Sequence, residues 1–139
     1  MAMETNGMNG IDAVVIEDDR AVRELMICIL ELEGCRVRAA ADGSRGLRLV
    51  LEHMPDLVIT DLQLPQADGC EVTKAVRMLP GGEATVVIVV SGLEGEGEIE
   101  RALLAGADDF LHKPFRPEEL TRRAAARVSR QLAVVTPRR

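Results

Sequence analysis

Four short apolar runs, each ending on polar or ionisable residues, set what this chain can fold into. They are Val14-Val15-Ile16-Glu17-Asp18-Asp19, Leu57-Val58-Ile59-Thr60-Asp61, Val86-Val87-Ile88-Val89-Val90-Ser91 and Asp109-Phe110-Leu111-His112-Lys113-Pro114. Runs of this length, rich in Val and Ile and bounded by helical patterns, read as strands buried on both faces. In an open parallel sheet the strands point their carboxyl ends at one edge, and ligands bind there. Carboxylates, a hydroxyl and an ammonium are therefore expected in one crevice. Carboxylates packed that closely repel unless a cation sits among them. A hard divalent ion such as Mg2+ suits oxygen ligands.

Strand and helix alternate five times along the chain. Strands are expected at 13–17, 36–40, 57–61, 85–91 and 107–112. The first helix carries Val22, Leu25, Met26, Ile29 and Leu30 at helical spacing, is capped by Asp18 or Asp19 and is ended by Gly34. The second spans 44–53 and stops before Met54-Pro55, because a residue preceding proline avoids the helical region. A third helix runs to about residue 79, a fourth over about 98–105, and Pro117 opens the fifth with Glu118 and Glu119 at its positive end. This alternation predicts repeated right-handed strand–helix–strand units. The expected fold is α/β and flavodoxin-like: a doubly wound parallel sheet of order 2-1-3-4-5, helices on both faces.

With 139 residues the chain fits one domain, expected over 11–133, with a flexible leader at 1–10 and a basic tail at 134–139. No apolar run approaches a membrane span, and the protein is expected to be cytoplasmic. Net charge is −6, unevenly spread: seven Arg and two Glu fall in 116–139, leaving −11 for residues 1–115. An acidic body argues against direct nucleic-acid binding; the terminal arginines are expected to form the solvated face of the last helix. Cys28, Cys35 and Cys70 lack metal-ligand spacing, and Cys28 falls on the apolar helical face. All three are expected to be reduced packing residues.

Glu17 and Asp18 are adjacent at a strand end, so both face one crevice only if the chain is already leaving the strand. One then ligates a metal directly and the other through water; capping a helix is the competing use of such acids. Asp61 ends the third strand, opposite them. An Asp carboxylate can attack phosphorus and form an acyl phosphate, which requires cationic groups around the phosphoryl oxygens. Lys113 supplies an ammonium and Ser91 a hydroxyl. Lys is used only at positions 74 and 113, against fifteen Arg, which marks Lys113 as a place needing a compact point charge. Lys74 is expected to be a solvated helix residue. His112 is expected to point away from the crevice.

At these four motifs the chain resembles the receiver domains of two-component response regulators. The resemblance covers about residues 12–133. It is carried by Val-Ile-Glu-Asp-Asp at 15–19, Asp-Leu-Gln-Leu-Pro-Gln-Ala-Asp-Gly at 61–69, Val-Val-Ser-Gly at 89–92 and Lys-Pro-Phe at 113–115. It implies Asp61 as phosphoacceptor and a Mg2+ site of Asp18, Asp61, the Gln63 backbone carbonyl and, through water, Glu17. Ser91 matches the switch hydroxyl, Phe110 the switch aromatic, Lys113 the phosphate-binding lysine, and Pro114 a residue often preceded by a cis bond. Leu64 replaces the commoner Met, Phe110 the frequent Tyr and Gly92 the common Ala; no catalytic group is lost.

The function implied is a phosphorylation-activated signalling switch. A sensor histidine kinase or phosphotransfer protein would donate from a phosphohistidine. Ser91 and Phe110 would then move inward and reshape the face of helix 4, strand 5 and helix 5, which a downstream output protein or domain, or a second copy in a homodimer, would read. Such a domain is no enzyme beyond catalysing its own phosphorylation and dephosphorylation. The rivals are a phosphorylation-independent docking scaffold, which has no need of the full acid–hydroxyl–lysine set, and a phosphatase of the haloacid dehalogenase type, which would want Asp-x-Asp on strand one.

Overall fold

A computed structural model of the chain describes residues 7–92 and 96–135. Its five parallel strands are β1 (Asp12–Ile16), β2 (Arg36–Ala40), β3 (Leu57–Asp61), β4 (Val86–Ser91) and β5 (Asp109–His112), arranged β2-β1-β3-β4-β5. The intervening helices are α1 (Arg20–Leu32), α2 (Gly43–His53), α3 (Gly69–Met78), α4 (Glu96–Ala105) and α5 (Pro117–Val135). This is the doubly wound, flavodoxin-like sheet expected from the alternation. The sequence did not announce the 3-10 turn at Gly82–Ala84 that leads into β4.

Alternating side chains on the strands build two cores. Ala13, Val15, Leu57, Ile59, Ile88, Val90 and Leu111 pack beneath α1 and α5. Val14, Ile16, Val58, Val87, Val89 and Phe110 pack beneath α2, α3 and α4. Burial on both faces explains the unbroken apolar runs. Local signals fix the helix starts. Asp19 caps α1 by accepting from the N–H of Val22 at 3.1 Å, and Asp42 caps α2 by accepting from that of Arg45 at 2.8 Å. Asp68 and Glu71 form a reciprocal capping box on α3. The cap alternatives thus resolve to Asp19, which leaves Asp18 free of capping duty.

Several expectations are corrected. The leader expected over 1–10 does not hold for residues 7–10. Met8 is buried in the α1–α5 core, and its N–H donates to Glu33 O at 3.2 Å. Its thioether side chain fills space that the aromatic-poor core leaves open. Residues 1–6 lie outside the described residues, as do 136–139 of the expected tail. Residues 134 and 135 belong to α5. Cys28 is exposed rather than packed, because the apolar stripe of α1 runs through Met26, Ile29 and Leu30 and turns Cys28 outward; Cys35 and Cys70 are buried. The arginines of α5 are not all a solvated face, since Arg123 and Arg127 reach Asp109 of β5 at 2.8 and 3.4 Å. No helix among the described residues is long and apolar enough to cross a membrane.

Candidate functional site

The carboxyl edge of the sheet collects the charged strand ends. Strand alternation gives Glu17, Asp61 and Lys113 the parity of the α1–α5 face, and Ser91 and Phe110 the opposite parity. Glu17, Asp18 and Asp61 each offer an oxygen, and these oxygens lie within 4.8 Å of one another. Glu17 is fully buried, Asp61 is 6% exposed and Asp18 is exposed. The chain leaves β1 at Ile16, so Glu17 can turn inward while Asp18 faces the crevice from the following turn.

Lys113 closes the site from β5. Its Nζ lies 2.8 Å from Glu17 Oε1 and 2.8 Å from Asp61 Oδ2. The Lys113 N–H donates to Ser91 O at 2.9 Å, which ties the end of β4 to the residue beyond β5, and the Lys113–Pro114 peptide is cis. Burial pushes the Glu17 carboxyl up, and the hydrogen bonds from Lys113 and the Asp19 N–H only partly oppose that. Burial alone would lower the Lys113 ammonium, but the Asp61 and Glu17 carboxylates outweigh it and hold it above its ordinary value. One ammonium faces three acids, so negative charge is left uncompensated. The donors are hard oxygens around an opening that solvent reaches at Asp18. That set fits a small divalent cation such as Mg2+.

The remaining expected residues take distinct places. The N–H of Gln63 donates to Asp61 Oδ1 at 3.1 Å, fixing the Asp61 carboxylate against the β3–α3 loop. Ser91 is buried at the end of β4, beside His112 in the register with β5. Phe110 is 9% exposed and packs in the α2–α4 core, with the exposed His112 ring edge-on at 5.1 Å. The expected inward turn of Phe110 therefore finds the ring already inside. Lys74 is exposed. Leu93, Glu94 and Gly95, between Ser91 and α4, lie outside the described residues.

Two contributors escaped the sequence reading. Arg23 donates from Nη1 to Glu17 O at 2.9 Å and to Asp18 O at 3.4 Å, clamping the acidic turn from one helical turn into α1. Asp19 adds its N–H to Glu17 Oε2 at 3.0 Å. A basic residue one turn after a strand-end acid pair was the available signal. At the opposite edge, Arg77 reaches the carbonyls of Gly106, Gly82 and Thr85 and the carboxylate of Asp108. It fastens α3 to the loops entering β4 and β5.

The response regulator receiver domain model matches residues 13–125. The response regulator MprA of Mycobacterium sp. (strain KMS) is 38% identical over 117 residues, 84% of this chain and 50% of that protein. The KDP operon transcriptional regulatory protein KdpE of Escherichia coli (strain K12) is 38% identical over 126 residues, 91% of this chain and 55% of that protein. The chain thus spans about half the length of these curated relatives. A putative response regulator from Chloroflexus aurantiacus superposes with TM-score 0.82 at 30% identity, over 87% of this chain and 99% of that one. The receiver domain of the sensor histidine kinase PA1611 from Pseudomonas aeruginosa, solved with a magnesium ion coordinated in its active site cleft, superposes with TM-score 0.80 at 28% identity, over 86% of this chain and 98% of that one.

Proposed function

The chain belongs to the response regulator receiver domain family, and on that premise we propose that it is a phosphorylation-driven switch whose phosphoacceptor is Asp61. One observation carries the reading: the carboxylate of Asp61 is held 2.8 Å from the Lys113 ammonium and within 4.8 Å of the Glu17 and Asp18 oxygens. An aspartate so placed is a nucleophile with its counter-charges already assembled.

In the proposed transfer, an Asp61 oxygen attacks the phosphorus of a partner's phosphohistidine. A P–O bond forms, the P–N bond breaks, and the imidazole leaves on the donor, a sensor histidine kinase or phosphotransfer protein. Lys113 neutralises one phosphoryl oxygen. Asp18, Asp61 and the Gln63 carbonyl would hold Mg2+, with Glu17 reaching it through water. Mg2+ bound there would offset the charge on the other phosphoryl oxygens. Glu17 stays ion-paired to Lys113 until the phosphoryl group competes for that ammonium.

The response would run through Ser91. Its hydroxyl moving toward the phosphoryl group pulls the end of β4, and with it the start of α4. Phe110, already buried on the same face, would hold that arrangement. The face of α4, β5 and α5 is then the surface that an output domain, an output protein or a second copy reads. Receiver domains are signalling modules, and this one would catalyse only its own phosphorylation and dephosphorylation. Intact mass after incubation with acetyl phosphate and Mg2+ tests the proposal. One phosphoryl group is expected on the wild type and none on Asp61→Asn; equal labelling of both would overturn the assignment, and no labelling of either would favour a docking scaffold.

A further inference from the structure

The outer edge of the sheet, strand β2, has chemistry unrelated to phosphorylation. The N–H of Arg36 donates to Ile11 O at 2.8 Å, and Ala40 O accepts from the Glu17 N–H at 3.0 Å, so residues 36, 38 and 40 face β1. Alternation turns the N–H and C=O of Val37 and Ala39 outward, to the unpaired edge. A cleft of about 530 Å3 opens against this edge, floored by Ala39 and Ala40 and walled by Arg23 from α1 and by Arg45 and Arg48 from α2. Short side chains on the floor leave the strand's backbone accessible.

The guanidinium groups there are under-compensated. Arg23 is engaged by backbone carbonyls rather than by a carboxylate. The carboxylate nearest Arg45 is Asp42 at 3.9 Å, and its Oδ1 already caps α2. Among the described residues Arg48 forms no ion pair. Arg36 and Arg38, on the strand itself, share one carboxylate, Asp12, at 3.5 and 3.7 Å. A chain of net charge −6 thus concentrates unspent positive charge along one sheet edge. Like charges oppose pairing of this edge with the same edge of another copy. The cleft is too polar and open to enclose a small molecule well, since such sites are concave and mostly apolar. An extended chain fits both features. Its backbone can pair with Val37 and Ala39, and its alternate side chains fall to either side of the sheet, toward Arg23 on one and Arg45 and Arg48 on the other.

We propose that edge strand β2 is a docking site for an extended acidic segment of another protein, which adds to the sheet as a sixth strand. Because Arg23 also holds the carbonyls of Glu17 and Asp18, occupancy of the edge would be felt at the acidic turn of the site.

Amide NMR of the full chain tests this with a peptide of alternating valine and glutamate. The expected result is shifts and about tenfold slower exchange at the Val37 and Ala39 amides. The same peptide with lysine for glutamate is expected not to bind. Arg45→Glu with Arg48→Glu should weaken binding about tenfold or more; Arg45→Gln with Arg48→Gln should weaken it less, and the distant Arg130→Glu not at all. Unchanged affinity in the Arg45/Arg48 variants, or binding without protection of Val37 and Ala39, would overturn the proposal. So would inorganic pyrophosphate displacing the peptide with identical shifts, which would reveal an anion pocket instead.

Discussion

Lys113 holds its ammonium 2.8 Å from Oε1 of Glu17, a carboxylate that solvent does not reach. Removing the cation strands a buried anion, which typically costs about 3–5 kcal/mol. Lys113→Ala is therefore expected to lower urea-unfolding stability by about 3 kcal/mol or more. Glu17→Gln in the same chain should recover most of that loss, since the stranded charge is gone. Equal losses in the single and double variants would mean that the pair is not coupled.

Asp18 is the opposite case. Its carboxylate is exposed, caps nothing and, among the described residues, pairs with no cation, yet it lies within 4.8 Å of the Glu17 and Asp61 oxygens. Asp18→Ala should leave the unfolding midpoint nearly unchanged while abolishing Mg2+ binding, as read by a titration monitored on nearby amides. Wild-type Mg2+ affinity in the variant would remove Asp18 from the ligand set.

The sequence showed what depends on pattern over several residues. The strand order followed from the fivefold alternation of strands and helices, and the converging charges from four apolar runs with polar ends. Single side chains were less visible. Cys28 looked apolar-facing on helical spacing, but a residue at the rim of a stripe is turned out by a small rotation of the helix. Met8 gave no signal, since one thioether can fill a gap in an aliphatic core without any period around it. Arg23 and Arg77 act on carbonyl groups, and no sequence pattern records which carbonyls a fold leaves open. The buried state of Phe110 depends on packing between α3, α4 and β5, which spacing along one strand cannot convey.

The cysteines divide by burial, and the division is measurable. Burial first, then the Glu33 and Asp56 carboxylates, push the Cys35 thiol up from 9.0 to about 11, and burial raises the Cys70 thiol as well. Near pH 8 one thiol per chain, Cys28, is expected to react quickly with a thiol-specific reagent, and all three in denaturant. The raised Cys35 value also has a sign for stability. Between pH 9.0 and about 11 the unfolded chain releases that proton before the folded one does, so stability falls with pH across this window. Cys35→Ala should flatten that slope; an unchanged slope would assign it to another group.

Gly69 shows how tightly the end of β3 is held from below. A Cβ there would overlap the backbone O of Asp61 and stand 2.9 Å from Leu62 Cα, and backbone atoms cannot swing aside. Gly69→Ala is expected to cost about 1–3 kcal/mol and to slow phosphorylation by displacing Asp61. Wild-type stability and wild-type labelling rate together would show that the loop yields freely.

Helix α4 is anchored more weakly than α1 and α5. Its buried residues are Ala102 and Ala105, while Leu103 is 47% and Leu104 87% exposed. A buried methyl contributes about 0.8 kcal/mol, against about 1.5–3 for a buried leucine. Arg101 reaches Glu98 and Asp68 at 2.9 and 3.4 Å, but exposed pairs of this kind add about 0–1 kcal/mol. The helices α1 and α5 instead bury Met26, Ile29, Leu30, Leu120 and Val128. Amides of residues 96–105 should therefore exchange faster than those of α1 and α5. Because Ser91 precedes this segment and is buried at the carboxyl edge, beryllium fluoride bound at Asp61 should slow that exchange. Unchanged exchange over 96–105, with saturation of Asp61 shown by Mg2+-dependent shifts at Gln63, would disconnect α4 from the site and leave the proposed output face without a trigger.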